Sequence, residues 1–160
     1  MAFSASSLNP AGAFTFEAWV ALSNPGGAGT CRSIAGKNWE QSWWIGICNT
    51  GSPAKPTLRS YLKGSASQRN GGTIPEGFTH IAVVFNGSRR LHYINGEKVL
   101  DVAETGPLPA STSEMRIGSD IAWQFSPIGT IIEVRLWSVA RTEAQIRSAI
   151  SVPADPPNLS

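Results

Sequence analysis

Residues 129–146 read GTIIEVRLWSVARTEAQI, and two periodicities meet inside this stretch. From Gly129 to Trp137 the period of two expected of a strand puts Glu133, Arg135 and Trp137 on one face. Directly after it, Thr142 followed three residues later by Gln145 forms a capping box, and Ile146 and Ile150 recur at the i, i+4 spacing of a helix. The stretch therefore predicts a strand that ends in a short capped helix, expected to lie across one end of the molecule.

Working outward, the remaining segments are strands. FTFEAWVAL (14–22) turns Phe14, Phe16, Ala18 and Val20 toward one side, expected to be the core, and Thr15, Glu17, Trp19 and Ala21 toward the other. FTHIAVVF (78–85) is an unbroken apolar run between Gly77 and Asn86-Gly87, as required of a central strand covered on both faces. In RRLHYINGEKVLDV the pair Asn95-Gly96 tolerates the positive φ of a type I′ turn, so a tight hairpin spans 89–102. TLRSYLKG (57–64) alternates Leu58, Ser60 and Leu62 with Arg59, Tyr61 and Lys63, and EMRIGSD (114–120) supplies a further strand. The polar, Gly-rich segment 64–73 reads as an exposed, mobile loop. Eight or more strands with one short C-terminal helix predict an all-β, two-sheet antiparallel sandwich.

TCRSIAGK and SWWIGICN form another hairpin around residues 38–41. A turn centred between Trp39 and Glu40 sets Ile34 opposite Ile45, Arg32 opposite Ile47 and Cys31 opposite Cys48, with both cysteines on the face away from the isoleucines. Opposed residues on antiparallel strands lie close to disulfide reach, so a Cys31–Cys48 bond is expected in an exported protein. Two reduced, partly buried thiols are the alternative, and a one-residue slip in register separates them.

Four landmarks now stand in order: FTFEAWV, GFTHIAVVFNG, LHYINGEKV, and MRIGSD followed by FSPIGTIIEVRLWSVARTEAQI. Together they resemble the laminin-G-like and pentraxin-like jelly rolls of the concanavalin A-like lectin/glucanase superfamily. The resemblance covers residues 14 to 146 and implies a jelly roll over 1–152, with 153–160 a linker or tail. Two departures stand out: the usual first strand is reduced to MAFSASSL, and the strand that usually follows the helix is missing or truncated. Members of this family bind glycans or proteins and often carry calcium at loop ends, so Ca2+ is a possible cofactor implied by the resemblance. The loops here offer only isolated acids such as Asp101 and Asp120, with Asn49 and Asn70 as helpers, whereas calcium takes six to eight oxygens.

Chemistry is sparse along the chain. The superfamily's glucanases carry Glu-x-Asp-x-x-Glu on one strand to flank the scissile bond with two carboxyl groups; no such motif occurs, and Glu133 has Arg135 beside it instead of an acid. His80 falls where the family carries a histidine, His92 is a lone imidazole, neither has a zinc-spaced partner, and no Gly-x-Ser-x-Gly elbow is present. The chain therefore reads as non-catalytic. Glu17 and Trp19 are expected to lie beside Arg135 and Trp137 on neighbouring strands as a structural cluster with a Glu17–Arg135 ion pair. Trp39, Trp43 and Trp44 crowd one hairpin: Trp43 phases with the isoleucines into the core, Trp44 joins Arg59 and Tyr61 on the outward face, and Trp39 sits at the turn. Trp39, Trp44, Arg59, Tyr61 and the loop residue Trp123 form the expected ligand-binding set, since aromatic faces match the apolar side of a sugar ring and Arg supplies donors.

Composition agrees with a recognition module. Of 160 residues, 41% are hydrophobic and 15% charged, 16 are Gly and 11 Pro, and the net charge of +2 comes from scattered basic residues. That pattern suits a turn-rich β domain and argues against a nucleic-acid surface. No apolar run is long enough to insert in a membrane and no signal peptide is visible. The expected function is a lectin-like, carbohydrate-binding module within a larger extracellular or cell-surface protein. The alternative is a structural or protein-interaction domain packed against a neighbouring domain.

Overall fold

The structure is a computed structural model that describes residues 2–3, 8–10, 12–23, 26–63, 67–119 and 129–150. Eleven strands and one helix follow in chain order: β1 (Ala2–Phe3), β2 (Phe14–Leu22), β3 (Cys31–Gly36), β4 (Trp44–Thr50), β5 (Lys55–Tyr61), β6 (Gln68–Thr73), β7 (Thr79–Phe85), β8 (Arg89–Ile94), β9 (Glu97–Ala103), β10 (Met115–Ile117), β11 (Gly129–Trp137) and α1 (Glu143–Ile150). They form a six-stranded sheet, β1-β10-β3-β4-β5-β6, and a five-stranded sheet, β11-β2-β7-β8-β9, with every pairing antiparallel. This is the two-sheet jelly-roll sandwich expected of the alternating strands.

The inner faces close on one apolar core. Phe14, Phe16, Ala18 and Val20 of β2 meet Trp43, Ile45 and Ile47 around β4, and Leu58 of β5. Alternation thus places every second residue of β2 against the facing sheet, and Trp43 belongs to this core as its phase demanded. β7 is buried along its whole length. One side faces the core, and the other is covered where Ile146 of α1 packs with Ala82, Val84 and Tyr93.

The helix therefore sits on the outer face of the five-stranded sheet, and Arg147 reaches Gly96 O at 3.1 Å. An end-on position, expected from the sequence, would have left the apolar outer residues of β7 and β8 in water. Its capping box is reciprocal: Gln145 N donates to Thr142 Oγ1 at 3.3 Å, and Thr142 N donates to Gln145 Oε1 at 2.9 Å. The β8–β9 hairpin turns on Asn95 (φ 49°) and Gly96 (φ 77°), the left-handed pair that a type I′ turn requires.

Three local features depart from simple alternation. Residues 68–73 form edge strand β6, paired to β5, and not a loop. Its sequence, QRNGGT, has no apolar period; the edge of β5 recruits it, and Gly71 and Gly72 allow it to approach β8 and β9, where a side chain at either would collide with His92, Leu100, Ile94 or Val99. In the β3–β4 hairpin the pairs Arg32–Ile47 and Cys31–Cys48 stand as expected, but a bulge after Ser33 sets Ala35, rather than Ile34, opposite Ile45. In β11 a bulge between Ile132 and Arg135, with Glu133 at φ 51°, shifts the phase so that Ile131 and Val134 both pack on the core.

Candidate functional site

The site is built on the outer face of the six-stranded sheet, where the register sets three rungs. Trp44 lies opposite Tyr61, Gly46 opposite Arg59, and Cys48 opposite both Cys31 and Thr57. Trp44 does not stand away from the sheet. Its indole folds over Gly46, where an added Cβ would come within 2.3 Å of the ring, and its Nε1 donates to Ser33 Oγ at 2.7 Å. Gly46 is therefore the residue that lets Trp44 lie flat.

Tyr61 packs beside it with ring centroids 5.2 Å apart, and Trp39 leans on Tyr61 at 6.0 Å. Trp39 is presented by the 38–42 turn: Asn38 adopts φ 72°, its Oδ1 accepts from Glu40 N at 3.1 Å, and its carbonyl accepts from Ser42 N at 2.8 Å. The Cys31–Cys48 disulfide closes the side of the cluster. Arg59 Nε donates to Asn70 Oδ1 at 2.7 Å and Nη1 lies 3.7 Å from Cys31 Sγ, which holds the guanidinium at the mouth. Gly29, Cys31, Trp39, Trp44, Arg59 and Tyr61 line a hollow of about 200 Å³.

The outward phase of Trp44 and Tyr61 is thus as read from the strands, since both lie outside the inter-sheet core. Their degree of exposure is not. Trp44 is 2% and Tyr61 9% exposed, so they make a floor, while the half-buried Trp39 and Arg59 are the accessible walls. Four of the five expected ligand residues come together here; Trp123, like Asp120, lies outside the described residues. Sequence reading missed Gly29 and Asn70, and it did not see that Cys31 would line the hollow. Gly46, an isolated glycine inside an apolar strand, was the available signal of a close approach.

The outer face of the five-stranded sheet carries the other aromatic cluster. Glu17 is fully buried, with His80 Nε2 at 3.4 Å from Oε2 and Arg141 Nη1 at 2.5 Å from Oε1. Burial pushes the Glu17 carboxyl upward, but the bonds from His80 and Arg141 outweigh it and hold the group below the usual carboxylate range. Trp19 meets His80 edge-on at 5.4 Å, and the Arg141 guanidinium lies 4.6 Å from the centre of the Trp137 ring. The expected Glu17–Arg135 pair does not form. Although Arg135 is the register partner of Glu17, its guanidinium bonds Glu133 at 2.8 Å. The bulge turns β11 there, and Arg141, delivered by the strand-to-helix connection, takes the buried carboxylate.

A third polar group lies between the sheets. Arg90, fully buried, donates from Nη1 to Ser60 O at 3.0 Å and Ser67 O at 2.8 Å, and Nη2 lies 2.5 Å from Glu104 Oε2. His92 Nε2 is 2.7 Å from Ser60 Oγ, and burial, then the neighbouring Arg90 charge, pulls the imidazole down to about 3. This Ser–His pair is sealed from solvent and ties β5 to β8.

Asp101 is held by Arg89 and Lys98, Asn70 Oδ1 by Arg59, and among the described residues no three His, Cys, Asp or Glu side chains could hold a metal ion. No helix among the described residues is long and apolar enough to cross a membrane.

Stacked antiparallel sheets with a helix on one and an aromatic hollow on the other define a jelly-roll fold of the lectin-like class. A laminin G model described as the Concanavalin A-like lectin/glucanases superfamily matches residues 1–147, and the chain belongs to that superfamily. No curated protein matches it in sequence. Among solved structures it is similar to domain 4 of an extracellular arabinanase from Geobacillus stearothermophilus, solved in complex with arabinotriose, at 19% identity and TM-score 0.69 over 90% of this chain and 69% of that one. It is also similar to the carbohydrate-binding domain of a Ruminococcus gnavus sialidase bound to α2,3-sialyllactose, at 11% identity and TM-score 0.70 over 94% and 92% of the two chains. A heptameric pentraxin from Limulus polyphemus matches at 17% identity and TM-score 0.68 over 89% and 72%. At these identities the likeness is one of fold.

Proposed function

We propose that the chain is a carbohydrate-recognition module that takes a saccharide in the hollow on its six-stranded sheet, without catalysis. The observation that carries this reading is the convergence of Trp39, Trp44, Tyr61 and Arg59 from a turn and two strands onto one solvent-open hollow. Aromatic faces offer the apolar side of a sugar ring a stacking surface, and the guanidinium offers donors to its oxygens. Among the described residues no acid lines the hollow, so the paired carboxyl groups that glycoside hydrolysis uses are lacking there. The glycan ligands of the similar arabinanase and sialidase domains support the reading, and the disulfide suits an extracellular or surface setting.

The test is a glycan array with the intact chain beside Trp39→Ala. Trp39 is a wall and not part of the floor, so this substitution should abolish array signal while the melting temperature changes little. Signal that survives it would remove the site.

A second reading has its own observation. Trp137 is 40% and Val139 56% exposed, and Trp137 lines a hollow of about 240 Å³ with Leu8, Pro10, Leu136 and Ser138. Such apolar exposure suits contact with a neighbouring protein domain.

A further inference from the structure

The charge state of the hollow narrows what it can hold. Arg90, Arg135 and Arg141 each face a carboxylate of this chain. Arg59 does not: its described partners are the neutral Asn70 amide and the disulfide sulfur of Cys31. Among the described residues Nη2 has no hydrogen-bond partner and no Asp or Glu lines the hollow. A cation that is fixed in place, half-buried over an aromatic floor and unneutralised is the half of an ion pair that a ligand can complete.

Resting on the saccharide reading above, we propose that the ligand is an acidic sugar, whose carboxylate is received by Arg59 while its ring packs against Trp39 above the floor of Tyr61 and Trp44. Three features make the fit. Asn70 occupies Nε and Cys31 Sγ lies against Nη1, which leaves Nη2 and the second N–H of Nη1 as charged donors for a carboxylate. At about 200 Å³ the hollow is smaller than the roughly 300–1,000 Å³ typical of clefts for drug-sized ligands, so it admits one ring with a compact substituent and not a run of sugars. Trp44 is already satisfied by Ser33 and cannot donate outward, so polar discrimination in the hollow falls to Arg59.

The experiment is calorimetric titration of the intact chain with a panel of uronate- and sialate-terminated oligosaccharides. Each is paired with its carboxyl-reduced counterpart and with a sulfated one. A charge-assisted pair predicts at least a roughly ten-fold lower Kd for the carboxylate than for the alcohol, shrinking as salt is raised. Arg59→Met should erase that preference, bringing acid and alcohol to the same affinity, whereas Trp39→Ala should weaken acidic and neutral forms and leave their ratio in place. The wild-type comparison of acid with alcohol needs no variant to fold.

Equal binding of acid and alcohol, both lost in Trp39→Ala, would overturn the acidic-sugar inference and leave the saccharide reading standing. Sulfated sugars bound tightly, with carboxylated ones no better than neutral, would overturn the carboxylate assignment. No binding across the panel and the array together would overturn both.

Discussion

The two outer faces of the sandwich are built from the same kinds of residue and come out opposite. Each carries two tryptophans and an arginine within a few ångströms. On the five-stranded sheet the arginine, Arg141, is consumed: it pairs with buried Glu17, donates to Gln145 O at 2.9 Å, and stacks on Trp137. On the six-stranded sheet the partners of Arg59 among the described residues are the neutral Asn70 amide and the Cys31 sulfur. Aromatic and basic residues together do not mark a binding surface; the two faces differ in whether a carboxylate among the described residues meets the cation.

This contrast can be broken in order of cost. Replacing Glu17 by Ala strands His80 and Arg141 around a buried gap, and removing one partner of a buried pair costs about 3–5 kcal/mol. Urea unfolding should show that loss while saccharide affinity, measured on the fraction that remains folded, stays unchanged. Reducing the Cys31–Cys48 bond acts on the other face. Its 17-residue separation corresponds to about 3 kcal/mol by loop-closure entropy, and because Cys31 lines the hollow, affinity should fall with stability.

Acid separates the regions in a different way. The His92 pKa is depressed in the folded chain, so the unfolded chain binds the extra proton first and stability declines as pH falls from about 6.5 toward about 3. The Glu17 carboxyl is also depressed, so its contribution, present above the unfolded value, is lost as pH falls through the lower folded value. Both losses lie away from the aromatic hollow. Melting temperature followed from pH 7 to pH 4 should fall, and His92→Gln should flatten the upper part of the decline. The smallest effect belongs to Arg135→Ala: its pair with Glu133 is 39% and 30% exposed, and such pairs contribute under about 1 kcal/mol. A larger change in urea midpoint would mean that Arg135 supports Glu17 after all.

Much of this was legible in the chain. Alternation in β2, the Asn95-Gly96 turn, the capping box at Thr142 and the opposition of Cys31 and Cys48 each rest on a few neighbouring residues and one stereochemical rule. That Trp44, Arg59 and Tyr61 share one outward face was legible for the same reason, since it follows from the phase of two adjacent strands. What failed needed distant partners. The edge strand β6 has no pattern of its own and exists because β5 offers an unpaired edge. The β11 bulge and the delivery of Arg141 onto Glu17 depend on how the strand-to-helix connection meets β2, more than a hundred residues away in sequence.

Sequence alone therefore determined which residues of the unbulged strands face inward and which face outward, because the pleat of a regular strand enforces a period of two. The fold of the chain in space decided which outward charges find one another. An ion pair requires two groups to meet in three dimensions, and that placed a carboxylate beside Arg141 and, among the described residues, none beside Arg59.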